Sequence, residues 1–245
     1  MSPAEYALLA GAVATAYAVF GMTGFGAAIV AVPVLVQFMP LQLAVPLILL
    51  MDLVSTASVG VGNHKLIARG ELGRLLPFML VGIAFGAGVL ASADSRWLLV
   101  VLGIFVIFIA LRSLLSPPVP GSGLHGFWVV PAGTVGGVFS ALFGTGGPIY
   151  TMYLARRIEE PERFRATISS VVFMSAIVRL VAFAAAGLLL EKQLWLTAAF
   201  ALPCCLVGLA FGSRLRHRIS ATARKRVVLL LLTAGGCGVL LRGLA

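Results

Sequence analysis

The sequence predicts an all-α integral membrane protein made of two inverted repeats of four apolar segments, the first segment of each being a broken helical hairpin. Its composition is 60% hydrophobic and 11% charged, with a mean hydropathy of +1.09. Its apolar runs are long enough for helices to cross a bilayer, and its second half repeats its first. Strands of a membrane barrel would instead alternate apolar and polar residues over about ten positions.

Eight apolar segments, bounded by charge, proline or glycine, follow one another along the chain. Six of them have about the length of one membrane crossing. The first and fifth are longer, because at about 1.5 Å per residue the first would reach roughly 50 Å against a hydrocarbon core of about 30 Å. The segments are 4–38, 41–61, 75–90, 97–115, 127–154, 168–190, 194–211 and 227–241.

An internal repeat divides the chain into two halves. The run 77–86 matches 203–212, since both read proline, three apolar residues, Val-Gly, one apolar residue and Ala-Phe-Gly. A stretch rich in proline, glycine and serine lies near the midpoint, as expected for a linker. The predicted units are a first repeat at 1–115, a linker at 116–126 and a second repeat at 127–245.

The positive charges predict how the two repeats are oriented, because Lys and Arg accumulate in cytoplasmic loops. If all eight segments simply crossed, the two halves would disagree about which side is inside. If the first and fifth segments are hairpins that return to the side they entered, the 18 Lys and Arg divide fourteen to three, with Arg179 inside a segment. Each half then crosses an odd number of times, so we expect inverted repeats and both termini outside. The three outer residues are Arg96, Lys192 and Arg242.

The long segments are interrupted by glycine-rich breaks that recur in both halves. The first reads Gly21-Met-Thr-Gly-Phe-Gly26, and the second Gly144-Thr-Gly-Gly-Pro148. Irregular backbone at bilayer depth leaves N–H and C=O groups that protein, water or a ligand must satisfy. A half-helix starting at such a break directs N–H groups and a partial positive charge at an anion. The predicted substrate-binding residues at these tips are Thr23, Gly24, Gly26, Thr145, Gly146 and Gly147. The alternative is that the glycines only allow close helix packing.

Asp52 and Arg179 are ionisable residues well inside apolar segments. Charges at that depth are costly, so they usually pair with each other or serve transport. We expect Arg179 to hold an anionic substrate, and Asp52 to be its partner or a protonatable coupling group. A structural ion pair, or side chains that reach an interface, is the alternative. Nearby hydroxyls could line the same cavity, although bonding back to helix carbonyls is the favoured interpretation; they are Ser55, Thr56, Ser169, Ser170 and Ser175.

Two further pairs of glycines, four residues apart, lie in uninterrupted segments: Gly82 with Gly86, and Gly208 with Gly212. Small residues at this spacing let neighbouring membrane helices approach closely. We therefore predict packing contacts, not binding sites, at both pairs.

Charge and side-chain pattern exclude several classes of function. The net charge of +10 lies almost wholly in the connections, where it sets topology and contacts lipid headgroups, so the bilayer is a partner and nucleic acid is not. No Ser/His, paired Asp or His/Glu constellation lies at depth, so we do not expect an enzyme. No cofactor or metal ion is predicted, and the sequence leaves the oligomeric state open.

The two broken segments, 24–35 and 144–154, resemble those of the sulfite exporter TauE/SafE family, and 165–169 is similar to the motif that opens the family's sixth segment. The resemblance covers essentially the whole chain. It implies a multi-pass transporter of the bacterial cytoplasmic (inner) membrane that moves sulfur-containing anions such as sulfite, thiosulfate or sulfonates, with proton coupling as one driving mechanism. The other hypothesis is a membrane assembly or interaction protein that transports nothing and whose breaks serve helix packing.

Overall fold

The all-α class predicted from the sequence is confirmed. The structure, a computed structural model, describes residues 3–23, 26–60, 66–115, 125–215 and 221–244. Within these ranges it contains ten α-helices, a short 3-10 helix at Gly126–Trp128 and no strand. The helices are α1 (Pro3–Thr23), α2 (Ala27–Leu35), α3 (Leu41–Gly60), α4 (Arg69–Ser92), α5 (Ser95–Leu115), α6 (Val129–Phe143), α7 (Gly147–Leu154), α8 (Pro161–Ala185), α9 (Lys192–Leu215) and α10 (Ala221–Leu244).

Several helices have the length and outward surface of membrane spans. Among the described residues, five helical stretches are long and apolar enough to cross a bilayer: Pro3–Thr23, Arg69–Ser92, Gly126–Phe143, Pro161–Ala185 and Lys192–Leu215. Large apolar side chains on them point outward, which suits contact with lipid tails rather than water. The chain is therefore a multi-pass integral membrane protein.

Each long apolar segment is broken into two helices, as the glycines predicted. The first gives α1 and the nine-residue α2, and the fifth gives α6 and the eight-residue α7. Gly26, which precedes α2, has φ 93°, and Gly144, which ends α6, has φ 71°. Side chains are rarely accommodated in this left-handed region, so glycine permits both breaks. Gly24 and Phe25 of the first break lie outside the described residues.

The repeated glycine pairs pack helices of one half against helices of the other. A Cβ atom at Gly82 of α4 would lie 3.0 Å from the Cα atom of Gly137 in α6, and one at Gly212 of α9 would lie 2.7 Å from the carbonyl carbon of Ala18 in α1. At Gly82 a Cβ atom would also overlap the carbonyl oxygen of Thr134, and at Gly212 that of Ala18, so the predicted packing role of these glycines is confirmed. The Val81 and Val207 side chains of the same repeated motif are exposed on the outer surface.

The order of contacts gives the direction of each helix pair. Gly208 meets Ala14 and Gly212 meets Ala18, so α1 and α9 run in the same direction. By the same test α4 and α6 run in the same direction, since Gly82 meets Thr134 and Gly86 meets Val138.

The last helices of the two halves, α5 and α10, also pack on each other. Gly103 meets Leu240 while Gly243 meets Val100, so α5 and α10 run in opposite directions. Helices of the first half thus pack on helices of the second half throughout the molecule. The predicted repeat boundaries remain a prediction, and 116–124 of the predicted linker lie outside the described residues.

Candidate functional site

The two glycine breaks, which are far apart in sequence, meet in the folded chain. A Cβ atom built on Gly144, at the end of α6, would lie 2.7 Å from the Cβ atom of Ala28, in the first turn of α2. The same position is 3.3 Å from Nη1 of Arg179, on α8. Both breaks therefore lie beside a buried guanidinium group.

A small cavity of about 20 Å³ lies between these two tips. Because one water molecule needs roughly 10 to 15 Å³ measured in this way, the cavity holds about one water-sized group. A larger anion can enter only if the tips move apart. The tip residues that line it are Gly26, Ala27 and Ala28 from the first break and Gly144, Thr145, Gly147 and Pro148 from the second; the other polar residues that line it are Asp52, Ser140, Tyr150, Ser175 and Arg179.

Arg179 and Asp52 form a buried ion pair at the wall of the cavity. Nη2 of Arg179 lies 3.2 Å from Oδ2 of Asp52, and both residues are at most 5% exposed. Tyr17, on α1, donates a hydrogen bond of 2.8 Å to Oδ1 of Asp52. Removing two charges from water costs several kcal/mol for each ion, which their attraction offsets only when the remaining atoms are also bonded. The pair therefore ties α1, α3 and α8 together at one point.

Some polar atoms around the cavity have no partner. Nη1 of Arg179 donates to the carbonyl oxygen of Ser140 at 3.3 Å, whereas Nε of Arg179 and the hydroxyl group of Tyr150 form no hydrogen bond with described residues. Oγ of Ser140 and Oγ of Ser175 are 2.7 Å apart and share a hydrogen bond. Buried polar groups are nearly always bonded, so unpaired atoms beside a cavity point to a partner that binds there.

The residues predicted from the sequence to bind substrate do not all reach the cavity. Five of the predicted residues line the cavity: Gly26, Thr145, Gly147, Asp52 and Arg179.

The remaining predicted residues have other surroundings. Thr23 donates its hydroxyl to the carbonyl oxygen of Val19 at 2.8 Å and is not among the residues that line the cavity. Gly146 packs against α6, where a Cβ atom would lie 2.8 Å from Oγ of Ser140. Gly24 lies outside the described residues.

The hydroxyl-bearing residues that were expected to bond back to their own helices do so in part. Thr56 donates to the carbonyl oxygen of Asp52, and Ser170 to that of Ala166. Ser55 instead contacts Cys205, and Ser175 faces the cavity. Tyr17, Ser140 and Tyr150 belong to the site without having been predicted. The position of Tyr150, two residues after Pro148 in the second break, is the one sequence signal that could have found it.

A second polar cluster lies where α7 ends. Glu71, in the first turn of α4, accepts hydrogen bonds of 2.7 Å from the hydroxyl of Tyr153 and 2.6 Å from Nη2 of Arg157. These bonds to a carboxylate raise the pKa of the Arg157 guanidinium above its ordinary value. Because Tyr153 and Tyr150 lie on the same short helix, the cluster fixes the half-helix that carries one wall of the cavity.

Among the described residues, no three His, Cys, Asp or Glu side chains lie close enough to share a metal ion. The lining of the cavity is thus one ion pair, several hydroxyl groups and glycine-rich backbone. Such a set of groups can bind a small polar or anionic molecule without covalent chemistry.

Comparisons with known proteins identify the family of the chain. The family described as "Sulfite exporter TauE/SafE" matches residues 7–239. The chain is 29% identical over 191 residues to "Probable inner membrane transporter protein TsaS" of Comamonas testosteroni, covering 78% of this chain and 80% of the relative. It is 26% identical over 180 residues to "Probable sulfite/organosulfonate exporter TauE" of Cupriavidus necator, covering 73% of this chain and 69% of the relative. No solved structure is significantly similar to the chain.

Both relatives are named as transporters, and the family matches nearly the whole chain. The resemblance of the chain to this family is thereby confirmed. This multi-pass membrane protein belongs to the TauE/SafE sulfite exporter family.

Proposed function

We propose that this protein transports small sulfur-containing or organic anions, such as sulfite, thiosulfate or sulfonates, across the bacterial inner membrane, with the cavity between the two tips as the binding site. The observation that carries the proposal is the buried Arg179 guanidinium, which has an unbonded Nε and faces both breaks. The name of the first relative supports the inner membrane as the location, and the name of the second supports sulfite and organosulfonates as the class of substrate.

The electrostatics of the cavity suit an anion that competes with Asp52. The α2 and α7 helices begin at the cavity, so their first turns add partial positive charge to that of Arg179. Asp52 offsets this charge as long as it is ionised and bound to Arg179. We infer that the substrate takes over the hydrogen bond that Nη2 of Arg179 makes to Asp52, in addition to accepting one from the unbonded Nε. Thr23, Gly24 and Gly146 belong to the same tips and remain predicted contributors.

If the substrate displaces Asp52 from Arg179, the carboxylate of Asp52 should take up a proton, which would couple transport to protons. A buried carboxylate that loses its cationic partner is strongly destabilised unless it takes up a proton. Once Arg179 is displaced, the hydroxyl of Tyr17 still donates a hydrogen bond to the carboxylate of Asp52. A monoanion and a proton would then occupy the site together and cross the membrane together.

The purified full chain in liposomes that contain a pH-sensitive dye tests both statements. Methanesulfonate is a suitable substrate because it stays ionised and does not cross lipid as a neutral acid. We expect saturable uptake accompanied by acidification of the lumen, at about one proton per anion. In Asp52→Asn the side chain cannot ionise, so uptake should continue without acidification and should respond to membrane potential.

The results separate the parts of the proposal. Uptake without acidification in the unmodified protein would contradict proton coupling alone. Absence of uptake for sulfite, thiosulfate and methanesulfonate alike would contradict the transport function and favour a membrane assembly protein.

We also propose that the two halves are inverted repeats related by an axis in the membrane plane. The antiparallel contact of α5 with α10, which are equivalent in sequence, supports this arrangement, as do the parallel pairs α1 with α9 and α4 with α6. Nε of Arg96 donates to the carbonyl oxygen of Gly243, next to Arg242, so two of the three residues assigned to the outer face lie together. Arg157 and Glu71 meet at the other end.

Labelling of single cysteines in whole cells tests this topology. In a variant whose three native cysteines are replaced, Ser2→Cys and Ala245→Cys should react with an impermeant maleimide from outside. Gly70 is exposed at the start of α4, and Gly70→Cys should react only after the membrane is permeabilised. Reaction of the two terminal cysteines from opposite faces would contradict the inverted arrangement.

A further inference from the structure

We infer that Tyr150 and the serine pair Ser140 and Ser175 form, with Nε of Arg179, a subsite that selects anionic head groups with three oxygen atoms over those with two. This inference rests on the proposed transport function and deepens it. These hydroxyl groups line the cavity on the side of α6, α7 and α8, opposite the first tip.

The Tyr150 side chain is fixed so that its hydroxyl group stays at the cavity. Tyr150 has no exposed surface, and its ring lies against Gly136 of α6, where a Cβ atom would be 3.0 Å from Cζ. The hydroxyl lines the cavity together with Ser140 and Ser175, and it has no hydrogen-bond partner of good geometry among the described residues. Because the ring cannot turn its hydroxyl towards water, the hydroxyl proton of Tyr150 is available to a molecule that binds in the cavity.

The serine pair supplies a second donor. Oγ of Ser140 and Oγ of Ser175 are 2.7 Å apart, so one hydroxyl proton is used between them and the second hydroxyl keeps a proton that it can donate into the cavity. Ser140 is held in place through its carbonyl oxygen, which accepts from Nη1 of Arg179 and from the backbone N–H of Gly144 at 2.9 Å. The serine pair that supplies this second donor is therefore held in place beside the end of α6.

Among the described residues, two buried donors at this wall have no partner, the Tyr150 hydroxyl and Nε of Arg179, and the serine pair can supply a third. Sulfite and sulfonate groups present three oxygen atoms, each of which can accept one of these bonds. A carboxylate presents two, so it either leaves one buried donor unpaired or makes two bonds through one oxygen. A site with a buried unpaired donor discriminates against such an analogue.

The test compares methanesulfonate with trifluoroacetate, which are small monoanions that stay ionised and differ in head group. Uptake by the full chain in liposomes is measured as KM and kcat for each anion. Tyr150→Phe removes one hydroxyl and keeps the ring. Since a hydrogen bond to a charged group is lost, KM for methanesulfonate should rise about tenfold, while KM for trifluoroacetate should change less than about twofold.

Two further variants control for a change in uptake that comes from altered structure and not from the lost hydroxyl group. Ser175→Ala should lower the preference for methanesulfonate in the same direction as Tyr150→Phe. Tyr6→Phe is the matched control, because it removes a hydroxyl from a tyrosine that packs against Phe200, away from the cavity. It should leave both KM values unchanged.

The outcomes distinguish the proposed subsite from the transport function on which it rests. An equal change for both anions in Tyr150→Phe and Ser175→Ala, or no change for either, would overturn the subsite while transport stands. Failure of the unmodified protein to take up sulfite, thiosulfate and methanesulfonate alike would overturn both.

Discussion

Arg179→Ala is expected to lower the uptake of methanesulfonate at least about 100-fold, because it removes the buried cation that faces both tips. It should also destabilise the protein by about 3 to 5 kcal/mol, since Asp52 would remain buried without its cationic partner. Uptake in liposomes and thermal unfolding in detergent measure the two effects.

The two effects can be separated with a double variant. In Asp52→Asn with Arg179→Gln both charges are gone and side chains of similar size remain, so most of the stability should return. Uptake should not return, because no cation is left to bind the anion. Arg163→Ala, which removes an exposed arginine at the start of α8, is the control for a general loss of positive charge and should behave as the unmodified protein.

Recovery of uptake in the double variant would contradict the assignment of Arg179 as the binding cation. In that case the ion pair would serve only to hold α3 against α8.

Gly144→Ala is expected to reduce uptake at least about tenfold, because the new side chain would clash with Ala28 and distort the wall of the binding site beside Arg179. Two costs add at this position. A side chain at φ 71° costs about 1 to 3 kcal/mol. The new Cβ atom would also lie 2.7 Å from the Cβ atom of Ala28, an overlap that costs roughly another 1 to 3 kcal/mol.

Gly187→Ala is the matched control for Gly144→Ala. Gly187 follows α8 and has φ 75°, so alanine there is subject to the same backbone cost. Its nearest neighbour would be Cδ1 of Leu190 at 3.7 Å, an ordinary contact, and it does not line the cavity. Gly187→Ala should lower the unfolding temperature slightly and leave uptake within about twofold of the unmodified protein. Equal loss of uptake in both variants would show that the contact between the tips is irrelevant.

The helices and their breaks could be predicted because their causes are local. An apolar run of sufficient length forms a membrane helix wherever its neighbours lie. A positive φ at Gly26 or Gly144 requires glycine at that residue itself. The repeated motif of α4 and α9 likewise carries its glycines and its outward-facing valines in one short stretch.

Thr23 illustrates the limit of arguing from symmetry alone. It matches Thr145 in the repeat, yet α1 continues through Thr23, so its hydroxyl reaches the carbonyl oxygen of Val19 within the same helix. Thr145 comes after the end of α6 and lines the cavity. Thr145 also donates to a carbonyl oxygen of its own half-helix, that of Phe139 at 3.4 Å, so the two threonines differ in whether they line the cavity, and Thr23 stays a predicted contributor.

The sequence by itself determined that this is a helical membrane protein with two broken segments and two deep charges, because length, hydropathy and glycine act on the chain where they occur. Only the tertiary structure decided that the two tips meet at Arg179, that Tyr17 bonds to Asp52, and that Tyr150 lines the same cavity as the serine pair. These contacts join residues on different helices, from Ala28 to Gly144 and from Asp52 to Arg179. They depend on how α1, α3, α6, α7 and α8 pack together, which no single segment encodes.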